Sequence, residues 1–517
     1  MPSPCRLAGL VLIGASVLVG CARVGPDFQA QHDPWTEHWT TSAVEQASQQ
    51  HPQSDMREWW KVFSDPVLEH LIAAADANDA GLKIAGLRVV EARAQLGIAL
   101  AGRYPQLQQA RADALYARSR KTGIPGESSG VWQYSAGFDI GWELDFWGRF
   151  ARAIESADAA YFAAEANHED ALVLLHAQLA QTYFDLRTAE ARLRIARENA
   201  RLQKRSFEIT ERLFKSGESD ELDLQQAKTQ YLGTLSSIPD LENQILRARN
   251  ALAILIGRPP GPLPELQELL EKEGVIPLID HAVLQDVPAN LLLRRPDVRS
   301  AELQVAAQSA LIGVAKADLY PSVTLLGSIG WSATSLPGTP GGWVLIGGPS
   351  VQWNLFDYGR ITNNVRVQDA RLQQRIVAYQ DTVRQAAREA DDAATGLIKA
   401  LERETILREA SQAANRSLTL ANALFREGYS EFQRVLDAQR ALVAQQDAYL
   451  LNRSNAVNNL IALYKAMGGG WYTPLPLVDA ATRQQMQQRT DWGDLLNETG
   501  RQPLNSNVPV PRVSPDE

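Results

Sequence analysis

The chain has 517 residues, 45% of them hydrophobic and 21% charged, the composition of a folded protein. Its formal net charge of −9 argues against nucleic acid as a partner, because such a surface is ordinarily basic. Length alone suggests several domains, but an internal repeat of about 211 residues points instead to one elongated body built twice.

Residues 1–20 read as a signal peptide. Arg6 is the only charge before residue 21, and Leu7 to Gly20 is an apolar run too short to span a bilayer. It ends in Leu18-Val19-Gly20-Cys21, which resembles a bacterial lipobox, so Cys21 is the expected lipid-attachment site and the first residue of the mature chain. Cys5 leaves with the signal, which removes any internal disulfide and makes packing the source of stability. Ala22 stands where, by resemblance, an Asp would hold a lipoprotein at the inner membrane, so delivery to the outer membrane is expected. After residue 20 no apolar run approaches eighteen residues, so any crossing of a membrane is made by strands.

Residues 21–65 read as an irregular arm, polar and dotted with Trp35, Trp39, Trp59 and Trp60. The first repeat covers 66–256. It opens with a helix from Pro66 to Gly102, with Asp65 as N-cap and Pro66 in the first helical position; Gly81, Gly86 and Gly97 weaken its continuity. Tyr104-Pro105 ends that helix and opens a strand pair, 104–146. In its second member Trp132, Tyr134, Ala136, Phe138, Ile140, Trp142, Leu144 and Phe146 alternate with polar or small residues. Aromatics at both ends of the apolar face resemble interfacial girdles of an outer-membrane strand, although an amphipathic strand of a soluble sandwich carries the same alternation.

Arg149 to Ser216 follows: sixty-eight residues without Pro or Gly, bounded by Gly148 and Gly217. At 1.5 Å per residue this is a helical rod of ~100 Å. Leu172, Leu179, Leu186, Leu193, Ala200, Phe207 and Phe214 recur every seven residues, the spacing of a seam against a partner helix. Glu218 to Ile256 is a returning arm of only ~58 Å. A Pro- and Gly-rich connector, 257–287, leads to the second repeat, 288–467. There a helix runs to Leu319, and a strand pair, 320–356, opens on Tyr320-Pro321 and turns at Pro337 to Gly342. A second rod runs from Arg360 to Glu427, and a second arm from Tyr429 to Met467. Each arm is too short to climb back along its rod, so another helix must be stacked on it. The helix ending at Leu319 is expected above the first arm, and Pro66 to Gly102 above the second. The connector and the two ends of the chain then form an equatorial belt. Residues 468–517 thicken it, with a disordered tail from about Gln502. Gly217 and Gly428 are read as the tight turns at the far tips. Four strands cannot close a barrel, so other copies of the chain must complete the sheet.

Cys21, Trp59-Trp60 with Asp65-Pro66, the two Tyr-Pro strand openings, Arg294-Arg295-Pro296-Asp297-Val298 and Val435-Leu436-Asp437-Ala438-Gln439-Arg440 together resemble the outer membrane factor lipoproteins. These are TolC-like, NodT-type channels of resistance-nodulation-division efflux systems. The resemblance implies an α+β membrane protein that is a homotrimer. Twelve strands would form one shared β-barrel, and the long helices would form a periplasmic α-barrel with a mixed belt around it. It implies as partners a periplasmic adaptor (membrane fusion) protein, an inner-membrane pump and outer-membrane lipid. It also implies a periplasmic gate at Asp437 and Arg440, in which three copies of Asp437 make an anionic ring held by Arg440 and by Arg426 or Arg434 of neighbouring helices. On spacing alone Asp437 and Arg440 read more readily as an i, i+3 ion pair on a solvated helix, worth ~0.3 kcal/mol.

No catalytic constellation competes, and no cofactor or metal site is expected. The seven His residues are scattered, and His168 and His176 are expected on a helix surface. Four unclustered Met residues give no sign of copper or silver handling. Two other functions fit parts of the sequence: the outer-membrane channel of a type I protein secretion system, and a lipid-anchored coiled-coil spacer, which leaves the strands unexplained.

Overall fold

The computed structural model describes residues 23–29, 56–120, 128–261, 276–279, 295–334, 341–470 and 475–496. Cys21 and the signal, Trp35, Trp39, most of the connector and the tail after 496 lie outside the described residues.

Residues 23–29 lie along the junction of strands and rods: the Val24 N–H donates to the Trp147 carbonyl at 3.1 Å. Where an irregular arm is expected, Met56–Phe63 is a 3-10 helix. Its aromatics explain the order. Trp59, Trp60 and Phe63 are buried, and Trp59 stacks on Tyr464 with ring centroids 5.3 Å apart. Asp65 then caps α1 (Pro66–Asn78), accepting from the Val67 N–H at 2.9 Å. The helix expected to reach Gly102 is broken at Asp79, whose carboxylate accepts from the Leu82 N–H at 2.7 Å and starts α2 (Ala80–Ala101). None of the three glycines breaks it. Gly86 serves close packing instead, since a Cβ there would lie 2.0 Å from the Leu477 carbonyl oxygen.

The strands β1 (Leu107–Arg120), β2 (Ser128–Leu144), β3 (Ser322–Ala333) and β4 (Gly342–Gln352) form one antiparallel sheet in sequence order. The register aligns the apolar faces of both repeats: Phe138 lies opposite Ile329, which lies opposite Leu345, and Trp331 lies opposite Trp343. This face is bare within the chain, with Trp343 75% and Leu345 81% exposed. On the other face Arg111 pairs with Asp139 at 3.3 Å and Ser135 with Asp113. β1 and β4 each have one neighbour, which leaves two open edges. Among the described residues no helix is long and apolar enough to cross a membrane.

Each strand pair runs into a rod: β2 into α3 (Arg149–Ser216) and β4 into α6 (Arg360–Arg426). The returning arms are α4 (Glu221–Leu255) and α7 (Phe432–Ala466). The rod starts share a device. Asp145 accepts from the backbone N–H groups of Phe150 and Ala151, and Asp357 from those of Gly359 and Ile361. These donors hold the Asp357 carboxyl below its ordinary pKa. Left-handed glycines also recur in pairs 211 positions apart: Gly148 and Gly359 (φ 75° and 82°), Gly217 and Gly428 (79° and 76°), Gly257 and Gly468 (72° and 68°).

The main core runs along the upper rods, where Leu172, Leu179, Tyr183, Phe184 and Leu186 of α3 join Val383, Ala386, Ala390 and Leu397 of α6 and Val457, Leu460 and Ile461 of α7. The stacking differs from expectation. α5 (Pro296–Ala317) begins above α7, where Arg295 donates to the Ala466 carbonyl at 3.0 Å, and it runs beside α6, with Gln308 donating to Gln368 at 2.9 Å. The top of α4 meets the start of α2: a Cβ at Gly257 would lie 2.5 Å from the Asn78 carbonyl oxygen. Each stack is therefore completed within its own repeat, α2 on α4 and α5 on α7. Chain continuity from arm to next helix misleads here, because the chain leaves α4 beside the start of α2 and α5 begins above α7. The histidines are also corrected. His168 and His176 are buried, and His176 Nε2 lies 2.7 Å from Asp76 Oδ1 with its ring edge-on to Trp60. The small α8 (Ala480–Arg489) packs Met486 with Val90, Val478 and Leu496.

Candidate functional site

At the tips, both rods end in the same hydrogen-bonded turn. The Gly217 N–H donates to the Phe214 carbonyl and the Glu218 N–H to Leu213; the Gly428 N–H donates to Phe425 and the Tyr429 N–H to Leu424. In space around Gly217 and Gly428 nothing would meet a Cβ, so it is the left-handed backbone alone that selects glycine.

Beyond the second turn, α7 buries Phe432, Val435, Leu436, Gln439 and Leu442, a helical stripe against Ala227 of α4 and Ala414 and Leu418 of α6. The stripe leaves Asp437 and Arg440 together on the exposed face. Arg440 Nη1 donates to Asp437 Oδ1 at 3.2 Å, and Gln433 Nε2 donates to the same oxygen at 3.0 Å. Arg440 Nε reaches the other repeat and donates to Gln230 Oε1 of α4 at 3.1 Å. Arg426, in the last turn of α6, and Arg434 are exposed, and within the chain neither pairs with Asp437. The structure thus joins two of the four expected gate residues and adds Gln230 and Gln433. Neither glutamine carries a sequence signal. Their role follows from two arms lying side by side, one from each repeat.

Higher on α7, polar contacts fasten it to α3. Gln439 donates to Ser206 at 2.9 Å, Asn199 to Gln446 at 3.2 Å, and Arg192 contacts both oxygens of Asp447, at 2.6 and 3.1 Å. At mid-height the Arg295-Pro296-Asp297 segment binds the stack together. Burial opposes the Arg295 charge, but Asp297 and Glu389, at 2.8 and 3.1 Å, prevail and raise its pKa. Nearby, burial pushes Asp170 up to about 6, with Asp297 adding to it, and pushes Glu169 up to about 7 against the pull of its partner Arg299. Among the described residues no group of three or more His, Cys, Asp and Glu side chains could hold a metal ion.

A model of the family described as outer membrane efflux protein matches residues 71–258 and 287–469, one match in each half of the chain. A probable outer membrane lipoprotein of Salmonella typhimurium, SilC, is 31% identical over 463 residues, which span 88% of this chain and 97% of SilC. The cation efflux system protein CusC of Escherichia coli K12 is 32% identical over 483 residues, 90% of this chain and 100% of its own. Among solved structures, the outer-membrane channel OprN is 32% identical with a TM-score of 0.79, covering 87% of this chain and 99% of OprN. A crystal structure of CusC is 28% identical with a TM-score of 0.74, covering 86% and 100%. With its four-stranded sheet running into two long helical hairpins, the chain belongs to the outer membrane efflux protein family, as an α+β channel of the outer membrane.

Proposed function

We propose that the protein is the outer-membrane exit duct of a tripartite efflux pump, closed by three copies of the chain. The observation that carries this reading is the sheet: four strands with two open edges and one bare apolar face, continuous with helical rods that carry polar tips. Three copies pair β4 of one with β1 of the next, which makes twelve strands and removes every edge. The apolar face then meets lipid, and the face bearing Arg111, Asp113 and Asp139 lines a wet lumen. The rods and stacked arms make a tube into the periplasm. Its tips present the gate to a periplasmic adaptor protein, which links the duct to a pump in the inner membrane.

The duct passes small molecules without choosing among them. Relatives 27–32% identical to this chain are named for cation, antibiotic and solvent efflux, so one channel architecture serves unlike cargoes. Purified protein in detergent should scatter light as three chains and conduct ions in planar bilayers. A stable, monodisperse monomer with native strand content would refute the shared barrel.

A further inference from the structure

We propose that Gly233 to Pro239 is a hinge built into α4, which lets the lower end of that arm swing away from α7 when the Arg440–Gln230 contact breaks; the proposal deepens the gate reading above. Three features of the sequence act at one place. Pro239, inside the helix, has no N–H for the Leu235 carbonyl, and its ring crowds that carbonyl. The Ser236 and Ser237 hydroxyls turn back to the carbonyls of Gly233 and Thr234, each at 2.8 Å, a pattern that bends helices. Gly233 adds a position with little helical preference and no neighbour within 4 Å of a Cβ.

The tertiary contacts of α4 lie on either side of this stretch. Above the hinge α4 is fastened: Leu241, Leu252 and Ala253 are buried, Glu242 pairs with Arg197 at 2.7 Å, and Arg249 pairs with Glu190 at 3.0 Å. Between Ala227 and Leu241 no residue of α4 is buried within the chain. Below it, Gln230 holds Arg440, and Tyr231 stacks on Phe207 at 6.3 Å. Glu221 to Gly233 is thus a lever of ~20 Å.

The duplication supplies the comparison. The corresponding stretch of α7, 211 positions later, reads Ala444-Gln445-Gln446-Asp447-Ala448-Tyr449-Leu450, without Gly, Ser or Pro. Asp447 occupies the position of Ser236 and there takes both contacts from Arg192. One arm has a bolt where the other has a bend, so the repeats differ where a moving part and a fixed part would be needed.

Spin labels at Glu198→Cys on α3 and Lys228→Cys on the lever, in a Cys5→Ser, Cys21→Ser background with unlabelled copies in excess, read the motion by electron–electron distance measurement. Arg440→Ala should broaden the distance distribution about twofold, and adding Pro239→Leu, the residue of the other repeat, should restore the narrow one. Gly233→Ala with Ser236→Ala and Ser237→Ala should narrow it without touching the proline. Distributions that do not depend on residue 239 would overturn the hinge. The conductance of the same trimers separates the two ideas. A gain in Arg440→Ala that Pro239→Leu leaves intact overturns the hinge and keeps the gate. Mobile labels with unchanged conductance support the hinge and remove the gate.

Discussion

Arg440 of α7 donates through Nε to Gln230 of α4 at 3.1 Å, so the returning arms of the two repeats are tied to each other at the level of Asp437. The contacts are half exposed, Arg440 at 49% and Asp437 at 60%, so each is worth about 0.2–1 kcal/mol. Threefold repetition of the tie raises the cost of opening to roughly 0.6–3 kcal/mol per trimer if the three break together. Asp437→Ala with Arg440→Ala should therefore raise the conductance of purified trimers in planar bilayers several-fold and reduce their cation preference. Gln230→Ala should give a smaller gain in the same direction. Conductance and selectivity equal to wild type in both variants would return these residues to the surface.

A second prediction concerns the buried network behind Asp65. Arg187 is 1% exposed, lies over the Tyr183 ring, donates through Nε to the Tyr183 hydroxyl at 3.0 Å and pairs with Glu190 at 2.8 Å. That hydroxyl in turn donates to Asp65 at 2.6 Å. Burial raises the Tyr183 pKa, and the Asp65 acceptor adds to it. Removing the cation leaves Tyr183 and Glu190 short of a partner. Arg187→Ala should destabilise by about 3–5 kcal/mol and Tyr183→Phe by about 1–2 kcal/mol in denaturant titrations. A loss under about 1 kcal/mol for Arg187→Ala would mean that the network is ornamental.

The mid-height carboxyls give a pH dependence of definite sign. Glu169 is raised from 4.5 to about 7 and Asp170 from 3.8 to about 6, so both hold protons more tightly in the folded chain. Their stabilising contribution is full below the unfolded values and is lost as pH rises through about 6 and about 7. The size is on the order of 1–3 kcal/mol for each. Melting temperature should therefore fall across this window, and Glu169→Gln should flatten the fall. Since Gln mimics the protonated acid, the variant should match wild type at the acid end and exceed it at the basic end. The opposite ordering would show that the ion pair with Arg299 outweighs desolvation.

Cys21→Ser should abolish incorporation of radioactive palmitate while some trimer still assembles, because twelve strands hold the protein in the membrane without the acyl chain. Continued labelling of the variant would place the acyl chain on another residue and refute Cys21 as the attachment site.

The long elements were legible because their limits are written in backbone chemistry. Gly148 and Gly217 bound α3 at the residues where the structure starts and stops it, and Gly428 does the same two residues beyond the end of α6. The break at Asp79 was not legible. Its side chain can cap a helix or ride on one, and only the packing of α1 and α2 on different parts of α3 decides between them. Gly86, read as a weak point, answers to Leu477, nearly four hundred positions away. The site divides in the same way: Asp437 and Arg440 carry a motif, whereas Gln230 becomes a partner only through the adjacency of two arms.

Because each stack is completed within its own repeat, the height of the tube is set by a match between one continuous rod and two end-to-end pieces. That match makes the chain a ruler with graduations. Adding one heptad to a rod and one to its arm, in both repeats, moves the tips outward by about 10 Å and leaves the seam in phase. Seven residues added to one rod alone would put its tip about two turns below the other, with Gln230 out of reach of Arg440. A bacterium with a wider periplasm would thus need four coordinated insertions in this duct, and relatives of different length should differ in sets of four.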